Sequence, residues 1–213
     1  MMILTMNEKE GWKISYYVSN IRVPNYKDFE DSKRVLGVLR KLHEKKLSVD
    51  WEFAPWEEAL KLEQLVKKAG PIQMTDFEDL KAKTERVYKR TIGDGVEKRF
   101  CHCDTYAPNW MISGDKTILI DWEYAGNSDP GCDLGAYIMD AMYSIDETKA
   151  FVKEYCGDSF NSVLEFHYMA YVAIVSYYWF VWALYRESCG AVMGDSLHNW
   201  YVMAKRFSDY LTR

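Results

Sequence analysis

With 213 residues, 48% of them hydrophobic, the chain can bury a substantial core as one large domain or as one domain with a small appendage. A formal charge of -5, with acids and bases interspersed and no basic stripe, excludes nucleic acid as a natural partner and suits a cationic ligand. Five cysteines, an odd number with no C-x-x-C pair, and the lack of a signal peptide point to a reducing cytoplasm.

Residues 2–6 and 12–18 predict two short strands, joined by the polar loop Asn7-Glu8-Lys9-Glu10-Gly11. The pattern breaks from Asn20 to Pro24. Between Phe29 and Lys46, Val35, Leu36, Leu39 and Leu42 recur at helical spacing. A second helix is expected from Pro55, well suited to a first turn, to Ala69, where Gly70-Pro71 stops it. A third spans about Asp76 to Thr91. At Arg99 the texture changes to a loop followed by a hairpin, Trp110-Met111-Ile112 and Thr117-Ile118-Leu119-Ile120 around a Ser-Gly-Asp turn. Beyond it, helices are expected near 133–143, 146–156, 161–187 and 196–211. In the last, Trp200, Ala204, Phe207 and Leu211 form an apolar stripe, read as core packing.

Two stretches admit rival readings. Tyr168 to Tyr185 carries no charge and just reaches the length of a membrane span. Its aromatic residues run through the middle rather than the two ends, which predicts a buried helix. Cys101-His102-Cys103 lacks the second ligand pair that a zinc site needs, so these thiols are expected to be packed.

The chemistry concentrates in His102-Cys103-Asp104-Thr105-Tyr106-Ala107-Pro108-Asn109, followed by Ile120-Asp121-Trp122-Glu123. An H-x-D-x-x-x-x-N loop with a second aspartate one hairpin later supplies what phosphoryl transfer requires. One carboxylate orients a hydroxyl, and oxygen ligands hold Mg²⁺ on nucleotide phosphates. The plainer alternative is a polar loop in which Asp104 and Asn109 only make turns.

These residues, with Tyr124-Ala125-Gly126, Asp129-Pro130 and Asp133-Leu134-Gly135, resemble the signature run of the choline and ethanolamine kinases. That family is aminoglycoside phosphotransferase-like and belongs to the protein-kinase-like superfamily. Weaker similarity covers Gly11 to Ser15 and Lys41-Leu42-His43. The resemblance implies an α+β, predominantly α-helical fold: a protein-kinase-like C-lobe with short β-hairpins and most of the N-lobe missing. Residues 1–20 would be the terminal hairpin and hinge of the N-lobe, and residues 21–213 the helical C-lobe with its catalytic loop at 100–126. It makes Asp104 the catalytic base, His102 a brace for the loop, Asn109 and Asp121 the ligands of Mg²⁺ on ATP, and Asp133 a structural support for the loop. His43 reads as a packed helix residue.

Choline kinases are similar in carrying a W-x-x-W where this chain has Trp179 and Trp182, which share a helix face three residues apart. A trimethylammonium donates no hydrogen bonds, so aromatic faces and carboxylates must hold it. Glu123, Tyr185 and Tyr201 are candidate further walls, while the bland reading is an aromatic-rich core helix. The implied function is ATP-dependent phosphorylation of the hydroxyl of choline, ethanolamine or a related amino alcohol. The rivals are an aminoglycoside-type phosphotransferase and a truncated, non-catalytic choline-binding member. Residues 1–20 resemble neither the family's glycine-rich loop nor its nucleotide lysine, so the chain alone is expected to hold ATP weakly, whether as a fragment or as a natural truncation.

Overall fold

The computed structural model describes residues 3–213. Strands β1 (Ile3–Asn7) and β2 (Trp12–Ser15) pair antiparallel around a turn in which the Asn7 side chain accepts the amides of Lys9 and Glu10. Gly11 takes a left-handed φ of 73° there, which only glycine adopts without strain. The expected strand from residue 12 stops at Ser15, and Met2 of the first lies outside the described residues. Nearly every side chain of this hairpin is exposed on both faces, so it sits apart from the helical body.

Helix α1 (Phe29–Glu44) begins at Asp28, whose carboxylate accepts the Glu30 amide, and ends earlier than expected because Lys46 turns left-handed. Helices α2 (Pro55–Ala69) and α3 (Phe77–Thr91) follow the expected bounds closely. Strands β4 (Trp110–Ser113) and β5 (Lys116–Leu119) form the expected hairpin. An antiparallel pairing of β3 (Arg99–Cys101) with β6 (Gly126–Ser128) was not anticipated, and it closes the loop region into one unit.

Helix α4 (Pro130–Asp140) starts about one turn before its expected position. Asp129 caps it through the Gly131 amide, Pro130 occupies the first turn, and a left-handed Met142 ends it early. Helix α5 (Ile145–Cys156) opens on a full capping box between Ser144 and Glu147. Helices α6 (Ser162–Ser188) and α7 (Asp195–Leu211) complete the body.

Helix α6 is the axis of the fold and packs against α2, α3, α4, α5 and α7. By length and composition it could cross a membrane, yet its side chains from His167 to Val181 are almost all buried within the protein. Each fully buried Val, Ile or Phe among them contributes about 1.5–3 kcal/mol. Two glycines let α4 approach α6 closely. A Cβ on Gly135 would lie 2.7 Å from the Tyr171 carbonyl oxygen, and one on Gly131 would lie 2.5 Å from Tyr171 Cγ. Of the cysteines, Cys101, Cys103 and Cys132 are buried as expected, whereas Cys189 is exposed.

Candidate active site

The catalytic loop runs from the end of β3 through His102–Tyr106 and a short 3-10 turn, Ala107–Asn109, into β4. Cys103 sits at φ 66°, a left-handed conformation that disfavours a side chain by about 1–2 kcal/mol. The fully buried Asp133 carboxylate offsets this by accepting the Cys103 amide at 2.6 Å and the His102 amide at 3.1 Å. The Thr105 hydroxyl donates to the Asp133 carbonyl at 2.6 Å, and Trp110 Nε1 donates to the Thr105 carbonyl at 2.9 Å. Asp133 thus holds three residues of the loop, His102 and Cys103 by its carboxylate and Thr105 by its carbonyl.

His43 does more than pack. Its Nε2 lies 3.0 Å from Asp133, and its Nδ1 lies 2.8 Å from the Tyr155 hydroxyl. The donor atoms of His43, Cys101 and Asp133 fall within 4.8 Å of one another. Hydrogen bonds account for the arrangement, since Cys101 also donates to the Ser128 carbonyl.

His102 is fully buried and bridges two segments. Its Nε2 donates to the Ile120 carbonyl at 2.8 Å, which leaves Nδ1 to accept the Asp104 amide at 3.3 Å. Burial pushes its pKa down, consistent with this neutral tautomer. The ring therefore ties the loop to the chain just before Asp121.

The Asn109 amide nitrogen donates to the Asp104 carbonyl at 2.8 Å and to its carboxylate at 2.9 Å. Its amide oxygen is the atom left over for a cation. Asp121 is exposed at φ 65°, and the Ile120 amide before it is bonded to the Asn109 carbonyl at 2.9 Å. Both side chains thus offer hard oxygen donors from backbones that are tied together, a set that fits Mg²⁺. Burial raises the Asp104 pKa to about 7; the Asn109 hydrogen bond opposes this, and the charges of Asp121, Glu123 and Asp140 reinforce it. A carboxylate tuned to that range is suited to take a proton from a hydroxyl.

A cleft of about 500 Å³ opens beside Asp104. Carboxylates of Asp104, Glu123 and Asp140 line it together with the rings of Trp179, Trp182 and Trp200. Trp179 lies 5.4 Å from Trp182, 5.6 Å from Trp200 and 5.3 Å from Tyr124, centroid to centroid. Of the residues anticipated from sequence, Asp104, Glu123, Trp179 and Trp182 meet here.

Tyr185 and Tyr201 do not. Each i, i+3 step drifts by about 60°, so Tyr185, two such steps past Trp179, lies about 120° round the helix from it and does not line the cleft. A single residue step of about 100° sets Tyr201 apart from Trp200. Its hydroxyl instead donates to Asp76 at 2.6 Å, beside Lys205, which reaches the same carboxylate at 2.7 Å. The α7 stripe also divides: Ala204 and Phe207 are buried, while Trp200 lines the cleft.

Trp200, Tyr124 and Asp140 were not anticipated as site residues. For Asp140 a signal existed, because it lies two helical turns beyond Asp133 on the same face of α4. Its carboxylate accepts the Ala107 amide at 3.0 Å and the Tyr26 hydroxyl. The two carboxylates of α4 therefore hold the two halves of the catalytic loop.

The phosphotransferase enzyme family profile matches residues 22–169. Protein LicA of Haemophilus influenzae is 22% identical over 203 residues, covering 89% of this chain and 74% of that protein. Choline kinase LicA from Streptococcus pneumoniae superposes with a TM-score of 0.82 at 24% identity, covering 98% of this chain and 74% of that one. A structure of LicA in complex with AMP gives a TM-score of 0.78 at 24% identity, with 98% and 72% covered. The fold is therefore the kinase-like fold of the choline kinases, and about a quarter of each related chain lies beyond what this one matches.

Proposed function

Since the chain belongs to the phosphotransferase enzyme family, we propose that it transfers the γ-phosphoryl group of ATP to the hydroxyl of choline or a related amino alcohol. One observation carries this reading: a carboxylate with its pKa raised to about 7 shares a cleft with three tryptophan rings. The rings and the carboxylates of Glu123 and Asp140 suit an ammonium head that cannot donate hydrogen bonds. That placement leaves the substrate hydroxyl toward Asp104, which accepts its proton as the oxygen attacks phosphorus.

Asn109, through its amide oxygen, and Asp121 would hold Mg²⁺, which when bound neutralises charge on the nucleotide phosphates. His102 and Asp133 hold the loop, His102 by its bond to the Ile120 carbonyl and Asp133 by the amides it accepts. The AMP complex of a structural relative supports a nucleotide as the donor. We assign residues 3–20 to the nucleotide-side lobe, a reading supported by the exposed hairpin. The buried setting of α6 and the three buried free thiols support work in the cytoplasm.

The test is formation of phosphocholine from radiolabelled ATP by the 213-residue chain. Slow turnover is expected, because residues 1–20 resemble neither the glycine-rich loop nor the nucleotide lysine of the family. Asp104→Asn should lower it by orders of magnitude with choline affinity little changed. Equal turnover by the variant would remove Asp104 from the chemistry.

A further inference from the structure

Polar side chains of helix α7 also line the cleft beside Asp104. Helix α7 presents Ser196, Asn199 and Trp200 to it, residues at i, i+3 and i+4 that share one helix face. Trp200 joins the aromatic wall, while Ser196 and Asn199 lie up to one turn nearer the start of the helix. Neither the Ser196 hydroxyl nor the Asn199 amide makes a side-chain hydrogen bond within the described residues, whereas Asp104 and Asp140 of the same cleft accept hydrogen bonds from the Asn109 amide nitrogen and the Ala107 backbone amide. The start of α7 adds to this. Gly194 provides no side-chain cap, so first-turn amides lack the partner that a Ser or Asp cap would supply. With its hydroxyl turned to Asp104, a trimethylammonium alcohol has only methyl groups left for these side chains, in a cleft of about 500 Å³.

Resting on the amino-alcohol reading above, we infer that Ser196 and Asn199 form a polar subsite for a second hydroxyl-bearing arm of the substrate, making the preferred ligand a bis(hydroxyalkyl)ammonium rather than choline. A hydroxyl both donates and accepts, and it meets an amide with both capacities and a hydroxyl beside it. An anionic arm is disfavoured, because Asp104, Glu123 and Asp140 already line the cleft. Charge therefore selects a neutral arm, and the Asn199 amide selects a polar one.

Two ligands of equal charge isolate the effect: choline, and bis(2-hydroxyethyl)dimethylammonium, in which a second hydroxyethyl replaces one methyl. Calorimetry on the 213-residue chain should show the second binding about three- to tenfold more tightly, as one or two neutral hydrogen bonds would give. The ratio of the two affinities is the readout. Asn199→Leu should bring it close to one, and Ser196→Ala should lower it by a smaller factor, with circular dichroism confirming that both variants fold. If choline binds and the wild-type ratio is already one, or if the ratio survives in the double variant, the polar subsite is refuted while the amino-alcohol reading stands. If neither ligand binds, the amino-alcohol reading falls and this inference falls with it.

Discussion

Asp133→Asn tests the support of the catalytic loop. The carboxylate is fully buried and accepts the His102 amide at 3.1 Å, the Cys103 amide at 2.6 Å and His43 Nε2 at 3.0 Å. An asparagine side chain replaces one acceptor oxygen with a donor, which then faces N–H groups that have no other partner. Losing one partner of such a buried, charge-assisted cluster costs about 3–5 kcal/mol, a large share of the roughly 5–15 kcal/mol that holds a domain together.

The pH dependence gives the same reasoning a second readout. Burial, the largest influence on Asp133, favours its neutral form; the hydrogen bond from His43 and the Cys103 amide outweigh it and hold its pKa below the usual carboxylate range. The stabilisation is therefore complete above about pH 4, the unfolded range for aspartate, and is lost as pH falls through the lower folded value. Urea unfolding followed by tryptophan fluorescence should show the variant weakened near neutral pH and its acid limb flattened, with an unchanged slope on denaturant. A variant within about 1 kcal/mol of wild type, with the acid limb intact, would refute the role assigned to Asp133.

Three further outcomes are expected. Trp179→Ala, Trp182→Ala and Trp200→Ala should each weaken choline binding by about 1–2 kcal/mol in calorimetry; an unchanged affinity in a folded Trp200 variant would remove α7 from the aromatic wall. In carbon NMR the Asp104 carboxyl should titrate near 7 without metal and shift to lower pH when Mg²⁺ and nucleotide are added, since a nearby cation favours the ionised form. Gly135→Ala should lower stability by about 1–3 kcal/mol through overpacking at the α4–α6 crossing, because the new methyl would lie 2.7 Å from the Tyr171 carbonyl; a melting temperature equal to wild type would mean that this crossing relaxes freely.

What could be read from sequence was local. Residues 102–109 and 120–126 are joined by a single short hairpin, so their spacing carries most of the geometry that brings Asp104, Asn109 and Asp121 together. Trp179 and Trp182 were legible for the same reason, because an i, i+3 pair on a helix must share a face. Tyr185 and Tyr201 fall outside the cleft because the i, i+3 drift accumulates to about 120° from Trp179 to Tyr185, and Tyr201 follows Trp200 by a single residue. The contacts that escaped notice are distant in sequence. Tyr26 meets Asp140 across more than a hundred residues, and β3 meets β6 only because β4 and β5 fold back between them. No periodicity encodes such pairings; they follow from how the helices pack.

That packing makes one helix responsible for both halves of the site. Helix α6 carries Trp179 and Trp182 on its cleft side and, at Tyr171, receives Gly131 and Gly135 of α4. Helix α4 in turn carries Asp133 and Asp140, which fix the two ends of the loop that holds Asp104. The aromatic wall and the base are thus referenced to the same rigid rod, and their separation is set by how closely α4 seats on α6. A change at the glycine seam should consequently move affinity for the ammonium head less than turnover, since Trp179 and Trp182 stay on α6 and Trp200 on α7 and only Asp140 of that head's partners rides on α4, while it shifts Asp104 relative to the hydroxyl. Turnover is the more sensitive quantity, because a displacement of about 1 Å at the reacting atoms can cost a hundredfold in rate. Substitutions at Gly131 and Gly135 that leave the chain folded should therefore separate binding from catalysis, although neither residue touches the cleft.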